Sequence, residues 1–418
     1  MSETWTISTF DPYSLPLDEL DLIRPDIFHH DKHVKIFERL RKEDPVHLQK
    51  DHENVGSFWN ITRYEDIMYV DTHHDLFSSD GSIVVEDQDE EFPLPMFIAM
   101  DPPKHDQQRK EVSPVVAPRN LAEIEGTIRK RVQDILDSLP IGEEINWVDL
   151  VSIELTTQML ATLFDFPFED RRKLTRWSDV ATADVESGDI VADEDQRRAE
   201  LIECLEYFQN LWQERANDPN PGFDLVSMLA HGESTKDMDP VEYLGNLVLL
   251  IVGGNDTTRN SITGGVNFLN MFPKEYDKLR ADPGLITKMV PEIIRYQTPL
   301  AYMRRTALAD TELGGKQIKK GDKLLMWYVS GNRDSDVIER ADEFLIDRDR
   351  PRNHLSFGFG IHRCMGNRLA EMQLKILWEE IMTRFDRIEV VGEPVMVKSS
   401  FVKGYSELPV ILHKKQHA

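Results

Sequence analysis

Cysteine is nearly absent from this chain. The 418 residues hold two, Cys204 and Cys364, which excludes a disulfide framework and any cysteine-rich zinc or iron–sulfur site. Long apolar runs are missing too. The longest, Leu247 to Val252, falls far short of the ~20 residues that span a bilayer. Residues Met1 to Leu20 lack the basic stretch and apolar core of a secretory leader. No membrane anchor is expected, and a reducing, cytoplasmic location follows. Cations are outnumbered, with 49 Lys and Arg against 75 Asp and Glu, for a net charge of −26. That excludes a general nucleic-acid or anionic-membrane binder, which needs clustered Lys and Arg. Repeats and low-complexity linkers are lacking as well. The acidic run Glu86-Asp87-Gln88-Asp89-Glu90-Glu91 is closest to an insert, and reads as a solvated surface loop.

Hydrophobic residues make up 40% of the chain, enough for a large core with room for an internal cofactor. Segments rich in Leu, Glu, Arg and Lys predict helices over Asn120 to Leu139, Asp193 to Ala216, Pro240 to Phe272 and Gly366 to Arg384. Short alternating pieces predict strands at Phe58 to Thr62, Leu324 to Val329 and Pro409 to His413. Regular strand–helix alternation is missing, so a doubly wound sheet is not expected. The expected fold class is mainly α with small β-sheets, in a single domain over 1–418.

The segment from Asp239 is the most informative helix. Asp239 can cap it, Pro240 suits the first position, and Glu242 completes a capping-box pattern. Leu244, Leu247, Val248 and Ile251 share a face, and the surrounding run is apolar on all sides, as in a helix at the middle of a large protein. Its centre reads Gly253-Gly254-Asn255-Asp256-Thr257-Thr258, residues that form helix poorly. Two readings follow. Either the helix breaks there, or a local groove forms where a hydroxyl replaces a backbone bond and a partner packs close to the glycines.

The second signal is Phe357-Gly358-Phe359-Gly360-Ile361-His362-Arg363-Cys364-Met365-Gly366, followed by a helix whose Ala370, Leu374, Leu377 and Ile381 share a face. Cys364 lies at or just before a helix N-terminus, where amides and the dipole stabilise a thiolate. A single helix end does not need three glycines, which argues against an inert buried cysteine. The thiolate is a metal ligand, or a nucleophile with His362 as the adjacent base.

This loop resembles the cysteine-ligand loop of the cytochrome P-450 family: Phe357, Gly360, Cys364 and Gly366 fill its pattern of Phe, two residues, Gly, three residues, Cys, one residue, Gly. From this composition a chance match is about 2 in 10,000 over the chain. The central helix resembles the family's oxygen-binding helix through Gly253, Gly254, Asp256 and Thr257. Glu292-Ile293-Ile294-Arg295 matches its Glu-x-x-Arg pair, with Arg348 as a third member. Met100 to Arg109 resembles its propionate-gripping stretch.

The resemblance implies a P-450 fold with haem b between the long helix and the cysteine loop, and Cys364 as the axial thiolate on iron. It implies propionate contacts from His105, Arg109, Arg305 and His354, and cofactor contacts from Phe357 and Gly253. Thr257 and Asp256 are the implied proton-relay pair, with Asp256 drawing protons from solvent. Candidate substrate walls are Ile83, Val84, Leu249, Val252, Leu300, Met303, Phe401 and Val402. The stretches Val248 to Gly265, Met303 to Asp334 and His354 to Glu380 resemble the soluble bacterial subfamily that hydroxylates alkanes at the terminal carbon. That subfamily takes electrons from a ferredoxin and its reductase, and no flavin motif or fused reductase is expected here. Lys110, Arg119, Arg363 and Arg368 are the candidate docking cations. The expected activity is terminal hydroxylation of medium-chain alkanes with dioxygen. Fatty-acid omega-hydroxylation and cyclic terpene hydroxylation are alternatives. Other classes are a haem sensor or electron carrier, which has no need of Asp256 and Thr257, and a colourless thiol hydrolase.

Overall fold

The structure is a computed structural model and describes residues 11–185 and 188–415. The helices that frame the interior are α1 (Tyr64–Thr72), α2 (Lys104–Val112), α3 (Pro118–Ser138), α4 (Glu154–Phe164), α5 (Arg172–Ala181), α6 (Glu194–Ala216), α7 (Pro240–Met271), α8 (Ile286–Gln297) and α9 (Asn367–Arg384). The main strands are β1 (Val46–His52), β2 (Gly56–Ile61), β3 (Phe77–Ser78), β4 (Glu144–Asn146), β5 (Met303–Ala307), β6 (Lys323–Met326), β7 (Phe385–Val390) and β8 (Pro409–Lys414). One sheet runs β1-β2-β6-β5-β3, with β2 and β6 parallel and its other pairings antiparallel; a second runs β4-β8-β7. Mainly helical with small sheets, the architecture matches the expected fold class.

The central helix is continuous. α7 runs 32 residues through both glycines, so the helix-break reading is overturned. It packs against α4, α5, α8 and α9, and tertiary packing on every side outweighs the weak propensity of its centre. The two glycines serve different ends. Gly254 faces α4, where a Cβ would stand 2.7 Å from the Leu160 side chain, whereas a Cβ on Gly253 would meet nothing within 4 Å. Asp239 caps through the Val241 N–H at 2.8 Å. The capping box does not close, because Glu242 turns to Lys104 at 2.8 Å and accepts from Gln108.

The predicted strand over Leu324 to Val329 ends at Met326, and Tyr328–Gly331 coils into a helical turn. The acidic run is a loop, but not a freely solvated one. Asp87 pairs with Arg304 and Lys323, each at 2.8 Å, and Asp89 pairs with Arg198 of α6 at 2.8 Å. The Glu292–Arg295 pair on α8 is fully buried at 2.8 Å, and Arg348 joins Glu292 at 2.9 Å as expected. Among the described residues no helix is long and apolar enough to cross a membrane.

Candidate active site

A cavity of about 1020 Å³ opens between the middle of α7 and the cysteine loop. Gly253 and Thr257 line it from the helix, and Phe357, Gly358, His362 and Cys364 from the loop. The loop folds on itself: the Cys364 N–H donates to the Phe357 carbonyl at 2.7 Å. Gly360 has φ +65°, and a Cβ there would lie 2.4 Å from the Asp71 carbonyl oxygen, so the turn excludes any side chain.

Cys364 sits three residues before α9, as the loop-to-helix pattern predicts. Its exposed surface faces the cavity. Burial pushes the thiol up, while the Gly366 and Asn367 amides and the Arg109 and Arg363 guanidinium groups pull it down. Cys204 lies in the hydrophobic core, and burial raises its thiol out of the reactive range.

The expected cofactor-gripping residues are only partly assembled. Arg109 and Arg305 line the cavity. Arg109 donates to the Arg363 carbonyl, and Arg305 pairs with buried Asp71 at 2.9 Å. His105 is buried; its Nδ1 bonds Asp106 at 2.7 Å, and its Nε2 has no partner. Its ring stands 4.3 Å from that of His362. His354 does not join them. It is buried outside the lining, its Nδ1 accepts from the Ser356 N–H at 3.3 Å, and its ring lies 5.4 Å from Phe357. His362 of the cysteine loop does line the cavity, and its two ring nitrogens are buried without partners. Burial holds His362 neutral, at about 2. The sequence did offer this residue, two positions before the cysteine, as a base for a thiol nucleophile. No bond between His362 and Cys364 forms; both its nitrogens stand unpaired.

Thr257 donates its hydroxyl to the Gly253 carbonyl at 2.9 Å, one turn back in the unbroken helix. Asp256 is fully buried and absent from the cavity lining. Its neighbours point outward: Arg259 at 2.8 Å, and from Arg259 on to Asp179 at 2.9 Å, whose side chain is 30% exposed. Thr182 lines the cavity and donates to Asp256 at 3.3 Å. Burial pushes the Asp256 carboxyl up, opposed by Arg259. Arg259 therefore links the buried Asp256 to the part-exposed carboxylate of Asp179.

Ile83, Val84, Leu249, Val252, Leu300, Met303 and Phe401 all line the cavity. Val402 does not; its N–H is held by Ser399 Oγ at 3.0 Å, behind the wall, and it bridges Leu300. Leu160 and Leu163 of α4 and Phe92 and Phe97 of the preceding loop complete the apolar lining. Nothing in the sequence pattern separated these from ordinary core residues. Glu86, Asp87, Asp89, Glu194, Arg197 and Arg198 give it a charged edge.

A thiol, two guanidinium groups and the unpartnered His362 imidazole around one large apolar space, with the His105 ring 4.3 Å from His362 but outside the lining, fit an iron porphyrin with two carboxylates. The site defines a haem-thiolate protein. Residues 46–404 match the family model Cytochrome P450, and the chain belongs to that family. It is 36% identical to linalool 8-monooxygenase of Pseudomonas putida over 413 residues, which cover 96% of this chain and 100% of that one. It is 31% identical to methyl-branched lipid omega-hydroxylase of Mycobacterium tuberculosis over 415 residues, 96% of each chain. Among solved structures, cytochrome P450-153 from Novosphingobium aromaticivorans superposes with a TM-score of 0.87 at 47% identity, covering 94% of this chain and 99% of that one. The chain is thus a P450 monooxygenase with a haem-iron cofactor, a small apolar substrate and a redox partner.

Proposed function

We propose that this monooxygenase hydroxylates the terminal carbon of medium-chain alkanes, with electrons from a ferredoxin and its reductase. Cys364 would hold the iron through its sulfur, and Arg109, Arg305, His105 and His362 would hold the propionates. Bound haem supplies activation of dioxygen and transfer of one oxygen atom. The protein supplies geometry and protons. Thr257 presents a hydroxyl at the groove beside Gly253, and the buried Asp256 passes protons toward the cavity, with Arg259 balancing its charge and Thr182 linking it to the lining.

The observation that carries the substrate reading is the lining. Apolar side chains from the segment between β3 and α2, from α4, α7 and the 299–303 and 399–401 segments enclose the cavity. The charged edge disfavours a carboxylate substrate. Arg198 is already paired with Asp89 and Arg197 with Glu194, while Glu86 adds negative charge. A primary C–H bond is stronger than a secondary one, so terminal attack requires the chain to be held end-on. An omega-hydroxylase among the relatives supports that outcome; the linalool relative supports a terpene as the second reading. Lys110, Arg119, Arg363 and Arg368 are exposed and serve the ferredoxin.

The test is turnover of alkanes, fatty acids and terpenes with a ferredoxin system, recording product regiochemistry. Terminal alcohols from alkanes support the reading. Oxidation confined to ring or internal positions, or confined to carboxylates, overturns it.

A further inference from the structure

Asp71, the second-to-last residue of α1, is 3% exposed, and no motif in its neighbourhood marks it. Its carboxylate has three partners. Oδ1 accepts from Arg305 Nη2 at 2.9 Å, and Oδ2 accepts from the Tyr328 hydroxyl at 3.2 Å and from the Phe359 N–H at 2.7 Å. Its carbonyl oxygen is the atom that Gly360 must clear. Arg305 is one of the two guanidinium groups on the cofactor wall, and Phe359 lies inside the closed loop that ends at Cys364. One buried side chain therefore touches both the arginine facing the cofactor and the loop that carries the sulfur.

Arg305 is itself buried, and its other bond is to a neutral carbonyl, that of Arg304 at 2.8 Å. A guanidinium in that setting needs a counter-charge, because a charge left unpaired in a low-dielectric interior is strongly destabilising. Asp71 supplies it at the cavity wall.

We propose that Asp71 is a positioning residue that tunes the haem: it balances the charge of Arg305 and fixes the thiolate loop through the Phe359 amide. The proposal rests on the haem-thiolate assignment. A negative charge beside the cavity favours the ferric state, so removing it shifts the reduction potential positive.

The test uses the haem-loaded full chain. Asp71→Asn is nearly isosteric and keeps an acceptor for the Phe359 N–H. Its reduction potential is expected to shift positive, and haem is expected to pass to excess apomyoglobin about tenfold faster, equivalent to ~1.4 kcal/mol. Asp71→Asn combined with Arg305→Gln restores the charge balance and returns the potential most of the way. Tyr328→Phe removes a neutral bond from the same carboxylate and leaves the potential in place. An unshifted potential in Asp71→Asn, or an equal shift in Tyr328→Phe, overturns the proposal. The wild-type reduced carbon monoxide spectrum is read alongside. A missing red-shifted Soret band there sinks the haem-thiolate assignment itself, a failure distinct from an unshifted variant.

Discussion

Two buried acid–arginine pairs share one spacing and behave differently. Glu292 and Arg295 on α8 are three residues apart, as are Asp256 and Arg259 on α7, and both pairs close at 2.8 Å. The α8 pair is saturated. Glu292 accepts from Arg295, from Arg348 and from the Leu345 N–H at 2.9 Å, and Arg295 also donates to the carbonyls of Asn332, Ala341 and Glu343. On α7 the carboxylate is also well met, by Arg259, by Asn255 Nδ2 at 3.0 Å and by Thr182 at 3.3 Å, but the arginine is not: Arg259 Nε is buried without a partner, and its other bond is to the part-exposed Asp179. A saturated pair is a clasp whose members have nowhere to go. A pair whose arginine is incompletely held, and whose acid reaches Thr182 on the cavity wall, suits an acid that gives up its proton there.

The largest effect that would break this contrast is Glu292→Ala. It strands two buried guanidinium groups, so a loss of about 3–5 kcal/mol is expected in denaturant titration, together with failure to retain haem. Asp256→Asn is expected to fold and keep its haem spectrum but to lose roughly hundredfold in product formation. The measurement is turnover under saturating substrate and reductant. A hundredfold loss of turnover in a folded, haem-loaded Glu292 variant, or wild-type turnover in the Asp256 variant, would erase the distinction. Thr257→Val removes one hydroxyl without volume, and about a tenfold drop in turnover is expected with stability changed by under ~1.5 kcal/mol. Asp179→Asn sharpens the comparison furthest. It touches only the part-exposed partner of Arg259, so a few-fold slower turnover (~1 kcal/mol or less) with an enlarged solvent isotope effect is expected. An unchanged isotope effect would place the proton entrance elsewhere.

Much of the fold could be read in the chain because its signals are local. Asp239 and Pro240 start α7 where expected, and the helices over 194–216 and 367–384 lie within a residue of their predicted bounds. Cys364 was legible because one loop carries its glycines, its aromatic and its following helix. What failed was non-local. The glycines of α7 look like a break until Leu160 and the cavity explain them. His354 and His362 have similar credentials along the chain, and only the fold turns one toward the cavity. Glu242 fits a capping box by spacing, yet a lysine and a glutamine from α2 claim it. Asp71 gave no signal, since its partners lie 234 and 288 residues away.

The Phe357–Cys364 closure has a thermodynamic consequence. A bond between two main-chain groups closes the backbone that carries the sulfur, so the chain itself holds the socket's shape. Docking then orders little of the loop, and the free energy of the iron–sulfur bond goes into retention instead of into stiffening a floppy segment.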